Sequence, residues 1–111
     1  AGVTRASITP RVYKTPLKPH EADVIADAMR AVVTSGTGRR AAVPGLKVSG
    51  KTGSAQVAGQ EQTNAWFIGF LDEPDLPYAV CVVVQDAGGG GQVAAPLAST
   101  IFSQLQYLRR E

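Results

Sequence analysis

Residues 45–54, Gly45-Leu46-Lys47-Val48-Ser49-Gly50-Lys51-Thr52-Gly53-Ser54, admit two foldings, and the choice between them decides the fold. The first eight letters satisfy G-x-x-x-x-G-K-[ST], a phosphate-cradling loop that needs a strand before it and a helix directly after the lysine. Pro44 stands immediately before the first glycine, and Leu46 to Ser49 themselves have strand character. The dozen residues after Thr52 carry Gly53, Gly59 and polar side chains in place of an apolar helical stripe. A nucleotide-binding module is therefore the alternative, and a strand is the principal reading. Side chains alternate across a strand, so Thr52 and Ser54 place two hydroxyls on one face, spaced to hold one carboxylate. Gly50 and Gly53 remove bulk beside the lysine, so an extended peptide can add along this edge through its main chain. Lys51 adds a positive charge that stabilises an anion or favours deprotonation of a neighbouring hydroxyl.

The flanking segments complete an α+β pattern. Val24, Ile25, Ala28, Met29, Val32 and Val33 recur at helical spacing, with Glu21, Asp23 and Asp27 on the other side or near the positive end, which predicts a helix over 20–33. Gly36 and Gly38 stop it. Upstream, the steps into Pro10, Pro16 and Pro19 push residues 1–19 into an extended arm. Downstream, Leu46 to Val57, Ala65 to Leu71 and Tyr78 to Gln85 read as three strands within 46–86, joined by short polar or Pro-bearing stretches that suit antiparallel neighbours. The second strand is apolar on both alternating sets, and Ala79 to Val84 is an unbroken apolar run, so cover on both faces is expected, with Trp66 in the core. Gly88 to Gly91 read as a flexible connection with no basic residue to hold an anion. Leu97, Ala98, Ile101, Phe102, Leu105 and Leu108 then mark a helix over 93–109, whose basic end at Arg109 and Arg110 suits its dipole.

Composition bounds the function. A chain of 111 residues fits one domain with a modest core. A net charge of +2, with 44% hydrophobic and 18% charged residues, sets aside disorder and a nucleic-acid-binding field. Cys81 is the one cysteine, so no internal disulfide forms, and its apolar neighbours predict a buried, inert thiol. His20 stands alone with no second histidine or nearby cysteine, so no metal site is expected. No apolar run reaches the roughly 18 residues that cross a bilayer, and an export address would lie outside this sequence.

From about residue 19 onwards the order of motifs resembles the C-terminal part of the transpeptidase domain of penicillin-binding proteins, class B type. The motifs are Met29-Arg30-Ala31-Val32-Val33, Gly36-Thr37-Gly38, Val48-Ser49-Gly50-Lys51-Thr52-Gly53-Ser54-Ala55, Asn64-Ala65-Trp66-Phe67-Ile68-Gly69-Phe70, the run Ala79 to Val84, the glycines and Ala94-Ala95-Pro96. Lys51-Thr52-Gly53 matches the K-T-G triplet of these serine acyl-transferases. The resemblance implies a partial penicillin-binding or β-lactamase-like fold, a three-stranded antiparallel sheet flanked by two helices. It implies that Lys51 assists proton movement, and that Thr52, Gly53 and Ser54 bind the carboxylate of a peptidoglycan stem peptide or a β-lactam. The backbone N–H of Ser54 would be an oxyanion-hole donor. Serine at 54 departs from the commoner threonine, keeping the hydroxyl and losing a methyl. No cofactor is implied, and the parent enzyme would work on the extracytoplasmic face of a bacterial membrane.

The larger departure is an absence. Ser7, Ser35, Ser49, Ser54, Ser99 and Ser103 are followed three residues later by Pro10, Gly38, Thr52, Val57, Phe102 and Gln106, so no S-x-x-K nucleophile motif is present, nor any S-x-N. The expectation is a fragment, 1–111, of a D,D-transpeptidase domain that binds β-lactams weakly and is not acylated. Its exposed apolar surface would pair with the missing N-terminal part of the domain or with another copy. A non-catalytic domain that keeps only the packing, with Lys51 a solvated edge lysine, is the other reading.

Overall fold

The computed structural model describes residues 2–110, the side chain of Arg110 excepted, so Ala1, Glu111 and the outer half of the expected basic pair lie outside the described residues. Three strands, β1 (Val48–Ala55), β2 (Asn64–Leu71) and β3 (Ala79–Val84), pair antiparallel in the order β1-β2-β3. The register sets Gly50 opposite Gly69 and Thr52 opposite Phe67 in one ladder, and Phe67 opposite Val82 in the other. The two facing glycines leave a hollow that the Phe67 ring fills. A Cβ on Gly69 would stand 2.5 Å from Phe67 Cε2, and a Cβ on Gly50 would overlap the ring tip.

Helix α1 (Pro19–Ser35) starts with proline at a position where the missing N–H costs nothing, and Glu21 accepts a hydrogen bond from the Lys18 N–H at 2.8 Å. It ends where the amides of Gly36 and Gly38 both donate to the Val32 carbonyl, at 3.1 and 3.0 Å. Gly36 is extended, with φ −108, so glycine serves close approach here: a Cβ would lie 3.0 Å from Val32 Cα. A 3-10 turn (Arg39–Ala41) follows. Helix α2 (Ala95–Gln106) is entered through a π-helical turn, Gly90–Ala94. α1 packs against β1, where the Arg30 guanidinium donates to the Val48 carbonyl at 2.6 Å, and α2 packs across β2 and β3. Val33, Val48, Ala65, Phe67, Leu71, Ala98 and Phe102 form the centre of the core.

The two faces of the sheet are covered unequally: the second is buried only at the Ser49–Phe70 end and is open beyond it. Ala65, Phe67, Gly69 and Leu71 of β2 are buried, while the alternate residues Trp66 and Ile68 are 37% and 49% exposed. On β3, Cys81 and Val83 share that open face. The expected burial of Trp66 and of the Cys81 thiol is therefore corrected: both side chains point away from the helices, because both helices contribute to the core behind the opposite face. The glycine run is corrected too. Gly90 is buried and Gly91 half-buried, packed on β1 rather than looping freely.

Arg109, just beyond α2, ties the C-terminus to the β2–β3 connection. It donates from Nε to Asp75 Oδ2 at 2.7 Å and from Nη2 to Glu73 Oε2 at 2.9 Å. The hydrogen bond from Arg109 holds the Asp75 carboxyl below its ordinary value. A carboxyl whose folded pKa is depressed contributes stability above its unfolded pKa and loses it as pH falls through the folded one. Asp75→Asn is thus expected to leave a shallower decline of stability below about pH 4. Chemical denaturation of both proteins across pH 2 to 7 checks this, and parallel profiles would refute it.

Candidate functional site

The buried face of β1 runs from Val48 and Gly50 to Thr52 and Ser54, so it changes from apolar to hydroxyl where the core gives out. There a groove of about 610 Å³ opens, lined by Lys51 to Ser54, by Gly36, Thr37, Arg39 and Arg40, and by Gly89 to Gln92. Three cations, Lys51, Arg39 and Arg40, face it, and no lining residue is acidic. A small anion entering this groove meets attraction on several sides.

The backbone of β1 contributes as well. The Lys47 carbonyl accepts from the Asp72 N–H beside β2 at 2.9 Å, whereas the Val48 carbonyl is bound by Arg30 and the Thr52 carbonyl by Lys51 Nζ, each at 2.6 Å. In an antiparallel ladder the N–H and C=O of one residue point the same way and alternate along the strand. The polar groups of Val48, Gly50, Thr52 and Ser54 accordingly face away from β2, towards the free edge. Ser54 Oγ accepts the Gly90 N–H at 3.3 Å, and the hydroxyls of Thr52 and Thr37 lie 2.6 Å apart.

Lys51, Thr52, Gly53 and Ser54 are thus brought to one groove, with Lys51 leaving the strand on the opposite side from the two hydroxyls. Its ammonium is turned back on the Thr52 carbonyl and is bonded to neither hydroxyl. β1 runs unbroken through Lys51 and Thr52, which excludes the phosphate-cradling loop: no helix follows the lysine. His20 is exposed in the first turn of α1 and does not line the groove. Among the described residues no group of three His, Cys, Asp or Glu is placed to hold a metal. No imidazole or carboxylate lines the groove, and the one lysine there is bonded to a carbonyl and to no hydroxyl, so what the lining presents to a ligand is hydroxyl groups and positive charge.

Thr37, Arg39, Arg40 and Gln92 were not anticipated as site residues. Gly36-Thr37-Gly38 reads locally as a helix stop, and only the adjacent Arg39-Arg40 pair, a concentration of charge just after that stop, hinted at more. The Arg39 guanidinium is steadied by donation to the Ser35 carbonyl at 3.3 Å.

A family model for the penicillin-binding protein transpeptidase domain matches residues 5–103. The chain belongs to that family. It is 42% identical over 84 residues to Stage V sporulation protein D of Bacillus subtilis, covering 68% of this chain and 13% of that protein. It is 33% identical over 83 residues to the peptidoglycan D,D-transpeptidase MrdA of Haemophilus influenzae, covering 61% of this chain and 13% of the relative. Among solved structures, the transpeptidase domain of the FtsI4 D,D-transpeptidase from Legionella pneumophila superposes with a TM-score of 0.70 at 28% identity, over 78% of this chain and 35% of that one. The α+β arrangement and the antiparallel sheet agree with that domain. No helix among the described residues is long and apolar enough to cross a membrane.

Proposed function

We propose that this chain is the carboxylate-binding wall of a serine-type D,D-transpeptidase. The carboxylate of a stem peptide or a β-lactam would sit between the Thr52 and Ser54 hydroxyls, in the field of Lys51. The Ser54 N–H, on the outward edge of β1, would donate to the carbonyl oxygen as it becomes an oxyanion. A donor in that role contributes about 3 kcal/mol to acyl transfer. Gly53 keeps the strand edge open for the peptide main chain. The single observation that carries this reading is the groove itself: two hydroxyls and an outward N–H on one strand end, three cations around them and no carboxylate.

The attacking serine, its lysine base and the second oxyanion donor would come from the rest of the domain, which would also cover the open face bearing Trp66, Ile68 and Val83. The whole enzyme would cross-link peptidoglycan on the outer side of the cytoplasmic membrane. The chain by itself is therefore expected to bind benzylpenicillin reversibly, with a Kd of about 1 mM or weaker, and to form no adduct. Saturation-transfer NMR and intact-protein mass spectrometry after denaturation check the two halves of this. A covalent penicillin adduct would show a nucleophile in these 111 residues. Binding unaffected by Thr52→Val with Ser54→Ala would remove the carboxylate site.

A further inference from the structure

We infer that Thr37 and the Gly90 N–H preset the two site hydroxyls as donors, so that the groove selects a carboxylate over a neutral acceptor of the same shape. The inference rests on the carboxylate site proposed above and adds what orients it.

A hydroxyl has one proton and two lone pairs. At 2.6 Å the Thr37 and Thr52 oxygens share one hydrogen bond, which either hydroxyl can donate. If Thr52 donates to Thr37, its proton is spent and it turns only lone pairs to the groove, which repel an anion. If Thr37 donates, Thr52 keeps its proton for the ligand, and the bond it receives makes that proton a better donor. A carboxylate selects the second arrangement, because a charge-assisted hydrogen bond is about twice as strong as a neutral one. Ser54 is served in the same way by the backbone: its oxygen accepts the Gly90 N–H at 3.3 Å, which leaves its own proton for the groove. With a carboxylate bound, both hydroxyls thus have a donor behind them.

Thr37 is held for this task. The amides of Gly36 and Gly38, on either side of it, are both fastened to the Val32 carbonyl. Its own carbonyl is approached so closely by Gly91 that a Cβ there would stand 2.5 Å away. Thr37 is a positioning residue, since it acts on the ligand through Thr52.

The test titrates the chain by NMR with N-acetyl-D-alanyl-D-alanine and, separately, with its C-terminal amide. Thr37→Val is expected to weaken acid binding about threefold to tenfold with little effect on the amide, whereas Thr37→Ser holds the acid within about twofold of the original. The amide titration and the amide-proton spectrum report whether each variant keeps its fold, and Thr37→Ala gives a second removal of the hydroxyl. Unchanged acid affinity in Thr37→Val and Thr37→Ala, alongside impaired binding in Thr52→Val, would overturn the role of Thr37 alone. Equal loss of acid and amide would make Thr37 a packing residue and overturn it as well. Unchanged acid binding in Thr52→Val would overturn the carboxylate site and this inference together.

Discussion

Phe67→Ala is expected to destabilise the fold by about 3 to 5 kcal/mol, measured by urea denaturation. The ring is fully buried and belongs to the core shared by the sheet and both helices. It is enclosed by backbone: Gly50 and Gly69 beneath it have no Cβ to move into the space it vacates, and a Cβ on Gly38 would already lie 3.5 Å from its Cε1. Facing glycines cannot collapse onto the cavity as longer side chains would, so the cost falls towards the upper end of the range. A domain of this size is stable by only about 5 to 15 kcal/mol, so the loss would leave the variant marginal. A change below about 1.5 kcal/mol would show that the ring is not where the sheet and helices meet. Gly69→Ala approaches the same contact from the other side, because its Cβ would stand 2.5 Å from the ring and 2.6 Å from the Ser49 carbonyl.

The second large effect is expected at Gly90, where stability and the groove are coupled. A Cβ on Gly90 would fall 2.5 Å from the Gly53 carbonyl oxygen and 2.8 Å from the Gly53 nitrogen, and against the Trp66 carbonyl. These are backbone atoms of two paired strands and cannot swing aside. Either the π-helical turn lifts from β1, breaking the Gly90 to Ser54 hydrogen bond, or β1 yields at the K-T-G segment. Overpacking of this kind costs about 1 to 3 kcal/mol or more. Gly90→Ala should therefore lower the unfolding midpoint and shift the amide resonances of Gly53 and Ser54 together. Gly89→Ala is the internal control, since its Cβ would meet Ser54 Oγ at an ordinary 3.9 Å and the effect should stay within about 0.5 kcal/mol. Equal effects at the two glycines would mean that the turn is not seated on the strand.

The misread elements share a physical cause. The unbroken apolar run Ala79 to Val84 hides its own periodicity, because both alternating sets are hydrophobic. The letters cannot say which set meets the helices and which awaits cover from outside the chain. Val80, Val82 and Val84 face the core, while Cys81 and Val83 do not, and Trp66 opposite Val83 follows them outward. The glycine run misleads for a related reason. Four consecutive glycines suggest slack, yet Gly90 and Gly91 lack side chains because strand backbone and the Thr37 carbonyl come too near for a Cβ. Glycine records both freedom and contact, and only the neighbouring chain tells which.

Local chemistry along the sequence was enough for the strand through Lys51, the helices on either side and the placing of two hydroxyls on one face. Each depends on spacing within a few residues, where backbone geometry is strict. The tertiary structure alone decided which side of the sheet is dry, that the free edge of β1 turns the Ser54 N–H outward, and that Thr37, Arg39 and Arg40 stand across from Thr52. Those residues lie a dozen or more positions from their partners. Such meetings are set by how α1 ends and how the Gly90–Ala94 turn seats on β1, through shape and packing rather than any local pattern.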